Sequence, residues 1–201
     1  MDATFSLILS LLALVVSTTT AWLTLFRRGT VKMTQPTTIY FGPDSTRHAA
    51  HPKVYLRTLL YATAKRGCII ESMFVRLQHD GETQAFNVWV YGDDKLKRGS
   101  GLFIPETGVT TNHHFLLPRV ATDYSFVPGL YQLKVFCSVV GERSVRMLAS
   151  FALTITQQQG AELQSAEHGL YFDWSPDETD YRSHIRRRDD EPSGFFLDLP
   201  E

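Results

Sequence analysis

Two hydrophobic periods divide this chain. From Phe5 to Phe26 no charge interrupts FSLILSLLALVVSTTTAWLTLF, and Arg27 and Arg28 follow at once. A helix rises about 1.5 Å per residue, so a hydrocarbon core of roughly 30 Å takes about 20 apolar residues. The run predicts a membrane-spanning helix, with Trp22 and Phe26 where aromatic rings favour the headgroup boundary. Beyond it the apolar positions alternate with period two. Val54–Thr63 predicts one strand, ending at the turn Ala64-Lys65-Arg66-Gly67, and Cys68–Gln78 predicts the next, with Ile69, Met73, Val75 and Leu77 on one face and only Glu71 out of pattern. Asp80-Gly81 is a two-residue turn signal, after which Ala85–Tyr91 resumes the strand pattern. Shorter strands are predicted at Thr37–Phe41, Gly101–Ile104 and His113–Leu117. Two longer ones, Gly129–Val139 and Ser144–Thr156, are joined by Gly141-Glu142.

Two of these elements have rival readings. Thr19 and Ala21 form a weak cleavage pair, which leaves a secretory signal as the alternative to an anchor. The run is longer than a signal's apolar stretch, however, and no Lys or Arg precedes it. Pro52–Lys65 also fits a helix, with Pro52 in its first turn and Gly67 as its cap. Short strands at regular spacing, with turn residues between them, favour an antiparallel sandwich over that helix.

The stretch Pro128-Gly129-Leu130-Tyr131-Gln132-Leu133-Lys134-Val135 resembles the penultimate strand of immunoglobulin-like and fibronectin-type-III-like domains. Leu56–Leu77, a strand, a short basic turn and a strand, resembles their early hairpin. The resemblance covers the middle of the chain and is one of architecture. It implies an immunoglobulin-like β-sandwich in which the Tyr131 hydroxyl bonds backbone a few residues upstream. The chain departs from true immunoglobulin domains in its cysteine and tryptophan spacing, with Trp89 well past Cys68. Cys68 and Cys137, its two cysteines, are therefore not expected to form their inter-sheet disulfide. Architecture of this kind implies no activity.

The expected organisation is an anchor over 1–28, a juxtamembrane linker over 29–36, a sandwich over 37–157, and an acidic, aromatic-containing, partly disordered tail over 158–201. Composition sharpens that division. The tail from Gln157 holds eleven acidic residues against four basic, net −7, and the preceding chain nets +6, so the total of −1 hides two opposite halves. Arg27, Arg28 and Lys32 follow the helix, and the positive-inside rule then places the N-terminus outside and the soluble domain in the cytosol. A basic body beneath an anionic leaflet gains roughly 1 kcal/mol per well-placed Lys or Arg; a solvated face of mixed charge is the plainer reading.

Several residue groups are candidates for binding. Ser6, Ser10, Ala13, Ser17, Thr20 and Thr24 recur every three or four residues and form one small-residue stripe on the helix. Such stripes let helices approach closely, although Ser and Thr also bond their own helix backbone. Lys65 and Arg66 on one turn, with Lys95, Lys97 and Arg98 on another, are candidate anionic-ligand loops. Gly169–Trp174 is aromatic and expected to pack back as a last edge strand, whereas Phe195, Phe196, Leu197 and Leu199 are a candidate docking motif.

No catalytic site is expected. Tyr91-Gly92-Asp93-Asp94 spells the turn at which RNA-dependent polymerases hold two metals, but the chain is far too short for one, and Gly-Asp-Asp is ordinary turn chemistry. His48 and His51 lack a third ligand, and His113 and His114, adjacent on a strand, point to opposite faces. Gly99-Ser100-Gly101 lacks the lysine of a phosphate loop and reads as a bend. No cofactor or metal is expected. The expected partners are the bilayer, a membrane or cytosolic protein, or a second copy. The leading expectation is a membrane-anchored adaptor or accessory module, and the alternative is a domain binding a ligand, anionic lipid or, less favoured, nucleic acid through its basic loops.

Overall fold

In the computed structural model, residues 3–27, 29–44, 51–92, 97–118 and 124–187 are described. An apolar helix, α1 (Ala3–Ala21), continues as a π-helical turn through Trp22–Phe26. The rest of the described chain is mainly β, in two antiparallel sheets with the core between them.

The larger sheet is built around β3 (Pro52–Ala62). On one side of it lie β2 (Thr38–Pro43), β12 (His168–Ser175) and β13 (Asp180–Arg187); on the other lie β9 (Val109–Leu116), β6 (Val88–Tyr91) and β7 (Lys97–Arg98). A short first strand, β1 (Val31–Met33), pairs with the end of β3. The smaller sheet runs β11 (Arg146–Ile155), β10 (Gly129–Val139), β4 (Cys68–His79), β5 (Glu82–Phe86), and β8 (Leu102–Ile104) pairs with the start of β4.

The alternation read from the sequence is the alternation of burial. Ile39, Phe41, Val54 and Leu56 of the larger sheet face Val75, Leu77, Leu133 and Val135 of the smaller one, all buried. Each such side chain removed from water contributes roughly 1.5–3 kcal/mol. The Asp80-Gly81 turn takes the positive φ values that a tight hairpin requires, 46° and 84°. The Tyr131 hydroxyl donates to the Val127 carbonyl at 2.8 Å and accepts from the Val127 amide at 2.9 Å, the corner that the resemblance implied.

Pro52–Ala62 is the expected strand and not its helical rival; Lys53 and Tyr55 are buried on one face and Val54 and Leu56 on the other, so its apolar run is two-sided. Four expectations need correction. Ile69, expected on the inner face of β4, is exposed and Ile70 is buried instead, because the pairing with β10 slips by one residue there. Ala85–Tyr91 is not one strand. Phe86 ends β5 in the smaller sheet and Val88 begins β6 in the larger, so the chain changes sheets at Asn87. Both Phe86 and Trp89 reach the core, three positions apart, because the phase slips there.

The third correction concerns the sandwich boundary at 157. A short helix α2 (Gln157–Glu162), closed by a reciprocal Thr156–Gln159 capping box, leads into β12, and β12 sits between β2 and β13. Leu170 and Phe172 join the core from that inner strand, so the first aromatic cluster is not at the edge. The fourth concerns the linker over 29–36, where Val31–Met33 is already strand β1 and Val31 is buried. Cys68 and Cys137 both carry free thiols.

Candidate functional site

The helix Ala3–Phe26 is long and apolar enough to cross a membrane or to be a signal sequence, and none of it is buried against the sandwich. Along the small-residue stripe, Ser10, Thr20 and Thr24 donate their hydroxyls to the carbonyls of Ser6, Val16 and Thr20 at 2.8–2.9 Å. Those hydroxyls bond their own helix, as Ser and Thr do in apolar surroundings. With Ser6, Ala13 and Ser17 they leave a face of small volume on the helix, one suited to close packing.

Little chain separates this helix from the sandwich. The Thr30 amide donates to the Thr63 hydroxyl at 2.8 Å, and the Thr63 amide returns to the Thr30 carbonyl at 3.0 Å. Gly29 lies flat against Ala64, where a Cβ would meet the Ala64 nitrogen at 2.7 Å. The Cys68 thiol donates to the Gly29 carbonyl at 3.4 Å, and burial pushes that thiol's pKa up.

One end of the sandwich therefore sits directly after the helix. It gathers the turn after β3, with Lys65 and Arg66 exposed; the β8 segment, where Phe103 opposes Ile69; and the β10–β11 turn with Glu142 and Arg143. The Ala62 amide donates to the Pro105 carbonyl and the Val140 amide to the Ile69 carbonyl, which ties these loops together. Between them opens a cleft of about 330 Å³ lined by Gly29, Arg66, Cys68, Ile69, Phe103 and Val140, among others.

The second basic loop is not brought to this cleft. Lys97 and Arg98 form β7, paired with Tyr91 and Val90 at the edge of the larger sheet, three strands from β3. Lys95 lies outside the described residues, as do Asp93, Asp94 and His48. The docking motif Phe195, Phe196, Leu197 and Leu199 lies outside them too.

The burial of three polar side chains inside the larger sheet went unread in the sequence. His113 is fully buried on the core face, where the Trp89 indole donates to its Nδ1 at 3.1 Å. Desolvation holds its pKa down at about 3. Its neighbour His114 points to the opposite face, its ring tilted 55° to that of Tyr55 with centres 5.0 Å apart, and burial pushes it down to about 2, with the Lys53 and His113 charges adding to the effect. Lys53 is buried on the same outer face, its Nζ 5.2 Å from the Tyr40 ring centre. Tyr40, Tyr55 and Tyr171 complete that buried outer layer. The signal was present in Lys53-Val54-Tyr55-Leu56, where no position reads as a plain solvent-facing one. Among the described residues no three His, Cys, Asp or Glu side chains converge as metal ligands would.

The outer face of the smaller sheet carries a different feature. Phe74 and Phe136 stack at 5.1 Å, and the Arg76 guanidinium lies over both rings at 5.4 and 5.0 Å. Met147, opposite Phe136 in register, is exposed.

No family model and no curated protein matches the chain. Among solved structures, the CooA pilin subunit from enterotoxigenic Escherichia coli aligns with 60% of this chain and 98% of its own, at 9% identity and a TM-score of 0.28. Agreement that weak transfers no property to this protein.

Proposed function

We propose that this is a single-pass membrane protein whose sandwich serves as a protein-binding accessory module, without chemistry of its own, on the cytosolic side of the bilayer. The observation that supports binding most directly is the Phe74–Arg76–Phe136 platform. Aromatic and arginine side chains on a half-exposed sheet face are the residue types that dominate protein interfaces. Their mutual stacking holds them in one geometry before a partner arrives, which lowers the ordering cost of association. The cytosolic orientation rests on Arg27, Arg28 and Lys32 after the helix.

The test is affinity purification of the full-length protein from its native membranes in mild detergent, beside an Arg76→Glu/Phe136→Ser variant and a Ser10→Leu/Ser17→Leu variant. A stoichiometric partner lost from the platform variant, with the variant still folded, supports the reading. Loss from the helix variant instead moves the interface to the small-residue stripe. Equal recovery from all three overturns both surfaces.

A further inference from the structure

The sandwich end that follows the helix is built to lie on lipid headgroups. We propose that the flank formed by the β3–β4 turn, β8 and the β10–β11 turn docks onto the anionic surface of the same bilayer that holds the helix, and so fixes the tilt of the domain. The proposal rests on the membrane-anchor part of the reading above.

Position comes first. Phe26 closes the helix and Thr30 is already bonded to Thr63, so only Arg27 to Gly29 lie between the spanning segment and the sandwich. An extended chain covers at most about 3.6 Å per residue. The turn that carries Thr63, Lys65 and Arg66 is therefore held near the headgroups whatever else the domain does.

Surface chemistry comes second. Among the described residues of the sandwich, four of the seven exposed large apolar side chains collect on this flank: Phe103 is 54% exposed, Ile69 45%, Val140 57% and Val145 49%, the others being Val127, Leu130 and Met147. Exposed cations stand among them, namely Lys65, Arg66 and Arg143, while the carboxylate of Glu142 is held by Arg146 at 2.8 Å. Glu106 is the remaining exposed acid on these loops. Apolar side chains ringed by Lys and Arg are the composition that binds the headgroup–acyl boundary of anionic membranes.

Exposed acids mark two other places on the surface. At the far end they include Asp80, Glu82 and Glu167, the last within 3.5 Å of Arg187. The β12–β13 hairpin, whose strand direction brings it back toward the helix end, carries Asp177, Glu178 and Asp180 at its turn, with Arg182 paired to Glu178, so acids still outnumber the one cation there. That hairpin lies across the larger sheet, on the other side of β2 from β3. One flank of the same end is thus basic and apolar and the other acidic, so an anionic surface attracts the first and repels the second. The domain leans on its smaller-sheet side.

The full-length chain in lipid nanodiscs, one copy per disc, provides the test. In a Cys68→Ser background, with Cys137 buried, an environment-sensitive dye is placed at Ser144→Cys on the basic flank, Pro176→Cys on the acidic flank, or Glu82→Cys at the far end. Discs of phosphatidylcholine are compared with discs in which about a third of the lipid is phosphatidylglycerol. The expected result is blue-shifted, brighter emission at position 144 alone, in anionic discs alone, reversed by added salt. Lys65→Glu/Arg66→Glu/Arg143→Glu is expected to lower the docked-to-undocked ratio by about a hundredfold at roughly a tenfold step per 1.4 kcal/mol. Equal emission at 144 and 176, or no response to lipid charge and salt, overturns the docking while the helix stays in the disc. A shift confined to discs holding two copies assigns the flank to a second copy and overturns it as well. Failure of the chain to co-elute with discs would instead remove the anchor reading itself.

Discussion

Thr30 and Thr63 are joined twice, amide to hydroxyl at 2.8 Å and amide to carbonyl at 3.0 Å, and this pair turns an apparent linker into part of the sandwich. With Val31 buried and paired to Ala62, the chain enters β1 beside β3, the strand at the centre of the larger sheet, within a few residues of Phe26.

Gly29 is where that junction is least tolerant. A Cβ there would come within 2.7 Å of the Ala64 backbone nitrogen and 2.8 Å of the Ala64 Cβ, neither of which has a flexible side chain to move aside. Gly29→Val is expected to lower stability by about 1–3 kcal/mol, the usual cost of overpacking. Thermal unfolding of the full chain in detergent measures it, and an unchanged midpoint would mean that β1 is not held in this register.

Tyr131 makes the second test. Its hydroxyl is the partner of both the amide and the carbonyl of Val127, so Tyr131→Phe strips two backbone groups at once. A loss of about 1–3 kcal/mol is expected for backbone groups left unsatisfied. It should appear as a lower urea midpoint with an unchanged slope, since the corner and not the core is altered. A midpoint equal to that of the parent would show the corner to be dispensable.

Most of this architecture was legible in period-two alternation because the inner face of each sheet is apolar: Met73, Val75 and Leu77 of β4 read directly from the sequence, whereas Ile69, expected in line with them, yields its place in the core to Ile70 where the pairing with β10 slips by one residue. Legibility failed where both faces of a strand are buried. Tyr40, Lys53 and Tyr55 are polar-edged side chains enclosed on the outer face of the larger sheet, and a pattern that assumes one wet face misreads them. It failed again at Asn87, where one chain segment serves two sheets. Trp89, large and out of phase with Phe86 by one position, was the available clue. The basic turn Lys65-Arg66 was found from sequence, but its proximity to the helix was not, since that follows from the direction of β3 and the pairing of β1. The exposed Phe103 and Val140 beside it come from strands far apart in the chain, and no local pattern joins them.

The cysteines give a prediction about accessibility. Cys137 is fully buried, and burial pushes its thiol up to about 12, whereas Cys68 is only half-buried. Only the thiolate alkylates, so Cys137 is expected to stay unmodified in the folded protein and react fully in urea. Peptide mass spectrometry after iodoacetamide treatment reads both sites. Modification of Cys137 without denaturant would show that β10 opens locally under native conditions.

His113 and His114 make the domain acid-sensitive. Both are held far below the ordinary value of 6.5, at about 3 and about 2, mainly because burial excludes the charged form. The unfolded chain then takes up protons that the folded chain refuses, so stability is full above 6.5 and falls as pH drops from there toward 3. Each histidine removes about 1 kcal/mol per pH unit in that window, or roughly 4 kcal/mol for the pair between about pH 7 and about pH 5. Asp44, whose carboxyl burial pushes up, acts in the opposite sense, but only once the pH enters the carboxylate range. His113→Gln keeps an oxygen that can accept from the Trp89 indole yet cannot titrate, so it should remove about half of the slope between those two pH values. Unfolding midpoints of the parent and the variant across that range decide the matter. Parallel curves would mean that His113 is not the buried neutral group this sheet encloses.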